Sequence, residues 1–221
     1  MRSPLSGRLR PALILGLALV SLTACSSGDG AGPGGHDTAA EGRSATEVCG
    51  GFAKSGPTLA ALTALVGGDG LSDDRSEPEA TLKALQEADG KLSPQEMASG
   101  SPFCRLRKAG DSESALDIVF REALVIPHSR DDQTFRSFAT GAEAESSNRY
   151  AKILFNCRTP GPARDLIVAA ELERLNETSA GSQDTAVHQI TVLNAAARAM
   201  AAKLGCQNTE LVDGVPAAVK R

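Results

Sequence analysis

Leu116-Asp117-Ile118-Val119-Phe120-Arg121 sets Leu116, Ile118 and Phe120 at every second position, and the alternation runs on through Leu124 and Ile126 to Pro127. Successive side chains of a strand point to opposite faces, so this period describes a strand with one face toward a core. Upstream, Cys104-Arg105-Leu106 is a short extended segment with Cys104 and Leu106 on one face. Downstream, Phe138 to Glu145 is a weaker extended stretch. Asn148 then starts a turn into Arg149–Cys157, where Ile153, Phe155 and Cys157 share a face. Leu166, Val168, Ala170 and Leu172 alternate again; Ala170 to Leu175 also suits a helix, and strand is the preferred reading. Such strands with short, turn-rich connections form an antiparallel sheet with one covered face.

The flanking segments carry helical signals. Ser55-Gly56-Pro57 precedes Leu59, Leu62, Leu65 and Val66, and Gly67-Gly68 ends the run, with proline at the start and glycine past the end. Ser76-Glu77-Pro78-Glu79 opens a second helix with Leu82, Leu85 and Ala88, ended by Gly90. Ser93-Pro94-Gln95-Glu96 has capping-box spacing for one short turn. The clearest helix carries Ala186, Ile190, Leu193, Ala197, Met200 and Leu204 as a single stripe. Asp184 at its start and Lys203 in its last turn suit the helix dipole, and Gly205 caps it. At about 20 residues it spans about 30 Å. The expected fold class is α+β, an antiparallel sheet with helices packed on one face and two disulfides.

The disulfides follow from Cys49, Cys104, Cys157 and Cys206, four cysteines in a domain read as exported. Their wide spacing matches no zinc or Cys-x-x-Cys redox motif. Cys104 and Cys157 both lie on apolar strand faces, and Cys49 and Cys206 both lie near the ends of the domain beside helices. The expected pairing is therefore Cys104–Cys157 across the sheet and Cys49–Cys206 joining the ends.

The export reading comes from the first residues. Arg2, Arg8 and Arg10 form a basic start, and an apolar run from Ala12 to Leu22 is shorter than the roughly 20 residues of a permanent span. Leu22-Thr23-Ala24-Cys25 resembles the bacterial lipobox, in which the cysteine sulfur receives a diacylglyceryl group and cleavage falls just before it. Residues 1–24 are thus expected to be a signal peptide and Cys25 the lipidation site, carrying palmitate-type acyl chains. Two acyl chains suffice for a durable anchor, because each buried methylene contributes about 0.8 kcal/mol. Residues 25–44, rich in Gly, Ser and Asp, read as a flexible tether, and 45–221 as a single globular domain. No later segment is apolar enough to span a membrane.

Charge narrows the partners. The chain has 23 basic and 27 acidic side chains. Without the signal's three arginines, 20 basic residues face 27 acidic ones, a net charge near −7. Nucleic acid and anionic headgroups favour a basic surface, so neither is an expected partner. One Tyr and no Trp make an aromatic sugar-binding platform a poor fit.

Candidate sites are few. His188 on the last helix reads as a half-buried, hydrogen-bonded histidine, and Pro127-His128-Ser129-Arg130-Asp131-Asp132 as a solvated turn between strands. His36-Asp37 in the tether is a poor metal site. Glu171, Glu173 and Glu177 resemble paired carboxylates of a glycosidase, yet charges alternating on a strand's open face account for them. Asn176-Glu177-Thr178 fits the glycosylation sequon, a pattern common by chance. There is no Gly-x-Ser-x-Gly elbow. No catalytic residue, cofactor or metal ligand is assigned.

The lipobox, the Gly/Ser/Asp tether, the Cys49-Gly50-Gly51 start and the Ala202–Cys206 end together resemble small surface lipoproteins of actinomycetes, the Streptomyces type. That resemblance implies an exported, lipid-anchored protein and brings no activity or site with it. The expectation is an extracytoplasmic lipoprotein on the cell membrane, a non-enzymatic binding or accessory module for a small ligand or an envelope protein. The alternative is an envelope hydrolase using the His128 loop.

Overall fold

The computed structural model describes residues 42–88, 100–123, 135–159, 165–176 and 183–220. Three helices, α1 (Gly56–Val66), α2 (Pro78–Glu87) and α3 (Gln183–Leu204), accompany seven strands. These are β1 (Leu71–Arg75), β2 (Ser101–Lys108), β3 (Leu116–Ala123), β4 (Arg136–Ser137), β5 (Glu143–Ser146), β6 (Tyr150–Arg158) and β7 (Asp165–Arg174). They form one sheet in the order β1-β2-β3-β7-β6-β5-β4, antiparallel throughout. The fold is α+β, as the periodicities require.

The alternation in β3 is realised in full: Leu116, Ile118 and Phe120 are inaccessible, while Asp117, Val119 and Arg121 are partly exposed. Ile153, Phe155 and Cys157 of β6 and Leu166, Val168, Ala170 and Leu172 of β7 belong to the same core. On it α3 lies over β5, β6 and β7, α2 over β2 and β3, and α1 against α3 and β2. The α3 stripe from Ala186 to Leu204 is buried, and so are Val192 and Ala196, because α3 packs on α1 as well as on the sheet.

The two central hairpins are built alike. In β2–β3, Cys104 lies opposite Ile118 and Arg105 opposite Asp117, with Arg105 bonded to that carboxylate. In β6–β7, Cys157 lies opposite Leu166 and Arg158 opposite Asp165, bonded at 2.8 Å. Each half-cystine points into the core, and the arginine after it points to the other face, where an acid meets it.

The pairing of the cysteines is corrected. The disulfides are Cys49–Cys104, with Cα atoms 5.3 Å apart, and Cys157–Cys206, at 4.7 Å. Both Cys104 and Cys157 do face the core, but β3 and β7 separate their strands. Three strand spacings amount to about 14 Å, beyond the roughly 4.4–6.8 Å a disulfide allows. Each sulfur instead meets the helix end packed above its own strand. The turn before α1 sits over β2, where Phe52 meets Phe103 edge-on at 5.8 Å. The end of α3 sits over β6, where the Gln207 amide donates to the Arg158 carbonyl at 3.0 Å.

Other departures are local. Residues 170–174 are strand, so the helical alternative falls. Phe138 to Glu145 is not continuous: the chain bends through Gly141, at φ 62°, where an added Cβ would lie 2.6 Å from the Leu154 carbonyl oxygen. Arg43 exchanges backbone bonds with Leu71 at 2.8 and 2.9 Å, so the fold includes residues before Ala45. The C-terminal residues occupy the outer edge of the sheet: Val219 donates to the Ser137 carbonyl and Ala139 to that of Ala217. Cys25, the tether to residue 41, Gly90, the 93–96 capping box, Leu124, Ile126, the His128 loop and Glu177 lie outside the described residues.

Candidate functional site

A groove of about 500 Å³ opens between the turn leading into α1, the C-terminal half of α3 and the segment after it. Its first wall is set by unusual backbone. Cys49, Gly50 and Gly51 have φ of 50°, 73° and 67°, three consecutive left-handed residues. At Gly51 an added Cβ would lie 2.7 Å from the Thr46 carbonyl oxygen, so only glycine fits. Cys49, a non-glycine in this region, is held by its disulfide and by the Asp73 carboxylate, which accepts from its amide at 3.4 Å. Ser55 then caps α1, its Oγ accepting from the Thr58 amide at 3.3 Å.

The floor is α3. Ala195, Ala199 and Ala202 recur at helical spacing beside the buried stripe, and their small side chains leave the space that forms the groove. The second wall is the segment after α3, fixed by a satisfied buried network. The Thr140 hydroxyl donates to Asn194 Oδ1 at 2.6 Å and accepts from the Val212 amide at 3.2 Å. Asn194 Nδ2 donates to the Val212 carbonyl at 2.8 Å.

The charges run against those of the chain. Net charge is −4 overall, yet Lys54, Arg198 and Lys203 line the groove against one carboxylate, Asp213. Arg198 is ion-paired with Asp213, and Lys203 Nζ lies 2.5 Å from Glu79 on α2. Asp213 is 89% exposed at its side chain, so its hold on Arg198 is that of a surface pair, worth about 0–1 kcal/mol. An apolar floor, a cationic rim and two braced walls can hold a small amphipathic molecule; about 300–1,000 Å³ is the usual range for such sites. A second cavity, about 510 Å³, lies at the far end of α1 against the β2–β3 turn. Its walls are largely that turn, a less rigid frame than α3.

Of the polar candidates singled out by sequence, those among the described residues lie outside the groove. His188 is half-buried on α3, outside the groove. Glu171 lies on the sheet face away from the helices, accepting from Arg121 Nε and Nη2 at 3.2 and 2.6 Å. Glu173 is exposed on the same face, so Glu171 and Glu173 are charges on the face away from the helices. Asn176 of the sequon is engaged: its Nδ2 donates to the Leu65 carbonyl and its Oδ1 accepts from Arg174, each at 3.3 Å. All four domain cysteines are in disulfides. Among the described residues no group of three or more His, Cys, Asp or Glu is placed to hold a metal ion, and no helix is long and apolar enough to cross a membrane.

Lys54, Arg198 and the alanine floor were missed in the sequence. Their only signal was an alanine-rich second face on α3, which looks like ordinary helix packing until the turn at Cys49 is seen beside it. No protein-family model matches the chain, and no curated protein and no solved structure matches it.

Proposed function

We propose that this chain is a lipid-anchored extracytoplasmic binding module whose ligand sits in the groove between the Cys49–Lys54 turn and α3. The observation that carries the binding part is the groove itself: a ligand-sized concavity on a rigid helix, with one wall fixed by a disulfide and the other by the Thr140–Asn194–Val212 network. Preorganised walls reduce the ordering cost of binding. The anchor rests on the Leu22–Cys25 sequence. Two disulfides in so small a domain support an oxidising compartment outside the cytoplasm.

The binding part is tested by screening a library of small aromatic and aliphatic fragments against the isotopically labelled chain. Backbone amide shifts are expected to cluster on Gly50–Ser55 and Ala195–Lys203. Shifts clustered at another surface, or scattered without saturation, would remove the groove from consideration.

A further inference from the structure

Resting on the groove as binding site, we infer its ligand class: an amphipathic anion that takes Arg198 from Asp213, its apolar body on the alanines of α3. The charges are the first argument. The mature sequence is strongly acidic, yet three of the four charged side chains lining the groove are cationic. Lys54 is exposed on the rim, and among the described residues no ion pair or hydrogen bond engages its ammonium group. Among the described residues the ion-pair partner of Arg198 is Asp213, a carboxylate almost wholly in water.

The arrangement makes Asp213 a stand-in for the ligand's acid. A guanidinium presents donors in a planar fork suited to carboxylate, sulfonate or phosphate. An incoming anion that also meets Lys54 has two cations where Asp213 has one. The exposed Asp213 side chain can turn outward at little cost, since solvent solvates it there already. Its backbone neighbour stays in place, because Asn194 Nδ2 holds the Val212 carbonyl. Exchange therefore needs a side-chain rotation and no movement of the wall. Beneath the charges, Ala195, Ala199 and Ala202 offer an apolar floor of small side chains, which suits a flat or linear hydrocarbon body.

The test uses the oxidised full chain and two fluorescent probes of nearly the same shape, anilinonaphthalenesulfonate and the uncharged phenylnaphthylamine. The sulfonate is expected to saturate a single site. Lys54→Gln and Arg198→Gln should each weaken it about twofold to fivefold, the scale of one partly exposed charged contact. Asp213→Asn should strengthen it about twofold to fivefold by removing the internal competitor. The uncharged probe should change less than twofold in all three variants. Ala199→Trp, which fills the floor, should displace both probes; Ala202→Trp, at a more exposed position, serves if that variant does not fold. Sulfonate binding indifferent to all three charge variants, with both probes still displaced by the tryptophan, would overturn the anion inference and leave the groove standing. Binding of neither probe, or of both undisturbed by the tryptophan, would overturn both.

Discussion

Tyr150 is the only tyrosine of a chain without tryptophan, so its ionisation can be followed by tyrosinate absorbance without interference. It opens β6 on the face away from the helices, with Phe135 edge-on at 6.4 Å and Glu171 beside it. Burial, then the charge of Glu171 and a hydrogen bond to it, push the hydroxyl well above its ordinary range. The folded state therefore keeps the proton that the unfolded chain releases near pH 10. Its contribution to stability is complete below that pH and declines as pH rises beyond it. Alkaline titration should show tyrosinate appearing together with loss of secondary structure, as one transition. Ionisation near pH 10 in a chain that stays folded would contradict the packing around Tyr150. A lone tyrosine in sequence gives no hint of this, because the acids that raise it, Glu171 and Glu145, lie on β7 and β5.

Among the elements, α1, α3 and β3 were legible because the period of each survives in the sequence, whereas the second half of β7 also suited a helix. β1 was not. Leu71-Ser72-Asp73-Asp74-Arg75 has one apolar residue and three charges, the composition of a protected edge strand. Strand faces alone could not give the cysteine pairing, because it depends on strand order. Cys104 and Cys157 share a face, but the β3–β7 contact at the centre of the sheet keeps them apart. The observed pairs close loops with sequence separations of 55 and 49, one in each half of the chain. Loops of that length contribute about 4 kcal/mol in the chain-entropy model, commonly less in practice. Non-reducing peptide mapping should recover Cys49 linked to Cys104 and Cys157 linked to Cys206. Replacing Cys157 and Cys206 together with serine should destabilise the chain by about 2–4 kcal/mol in denaturant titration. A fragment joining Cys104 to Cys157 would require a different strand order.

At the scale of the whole molecule, the proposed anchor rests on sequence and the groove on structure. The Leu22–Cys25 tetrapeptide on which the proposed anchor rests is a local stretch of sequence, whereas the groove joins residues far apart in the chain. Its walls come from positions near 50 and near 213 and its floor from α3, a convergence that no local motif records. Mass spectrometry of membrane-extracted protein should find Cys25 at the N-terminus with a diacylglyceryl group, and Cys25→Ser should release the protein from the membrane. A mature form starting elsewhere, without lipid, would defeat the anchor. The groove is tested most directly by a crystal structure of the oxidised chain with anilinonaphthalenesulfonate bound. The rings should lie over Ala195, Ala199 and Ala202, with the sulfonate between Lys54 and Arg198 and Asp213 turned outward. A probe bound elsewhere, with the Arg198–Asp213 pair intact over an unfilled groove, would contradict the account.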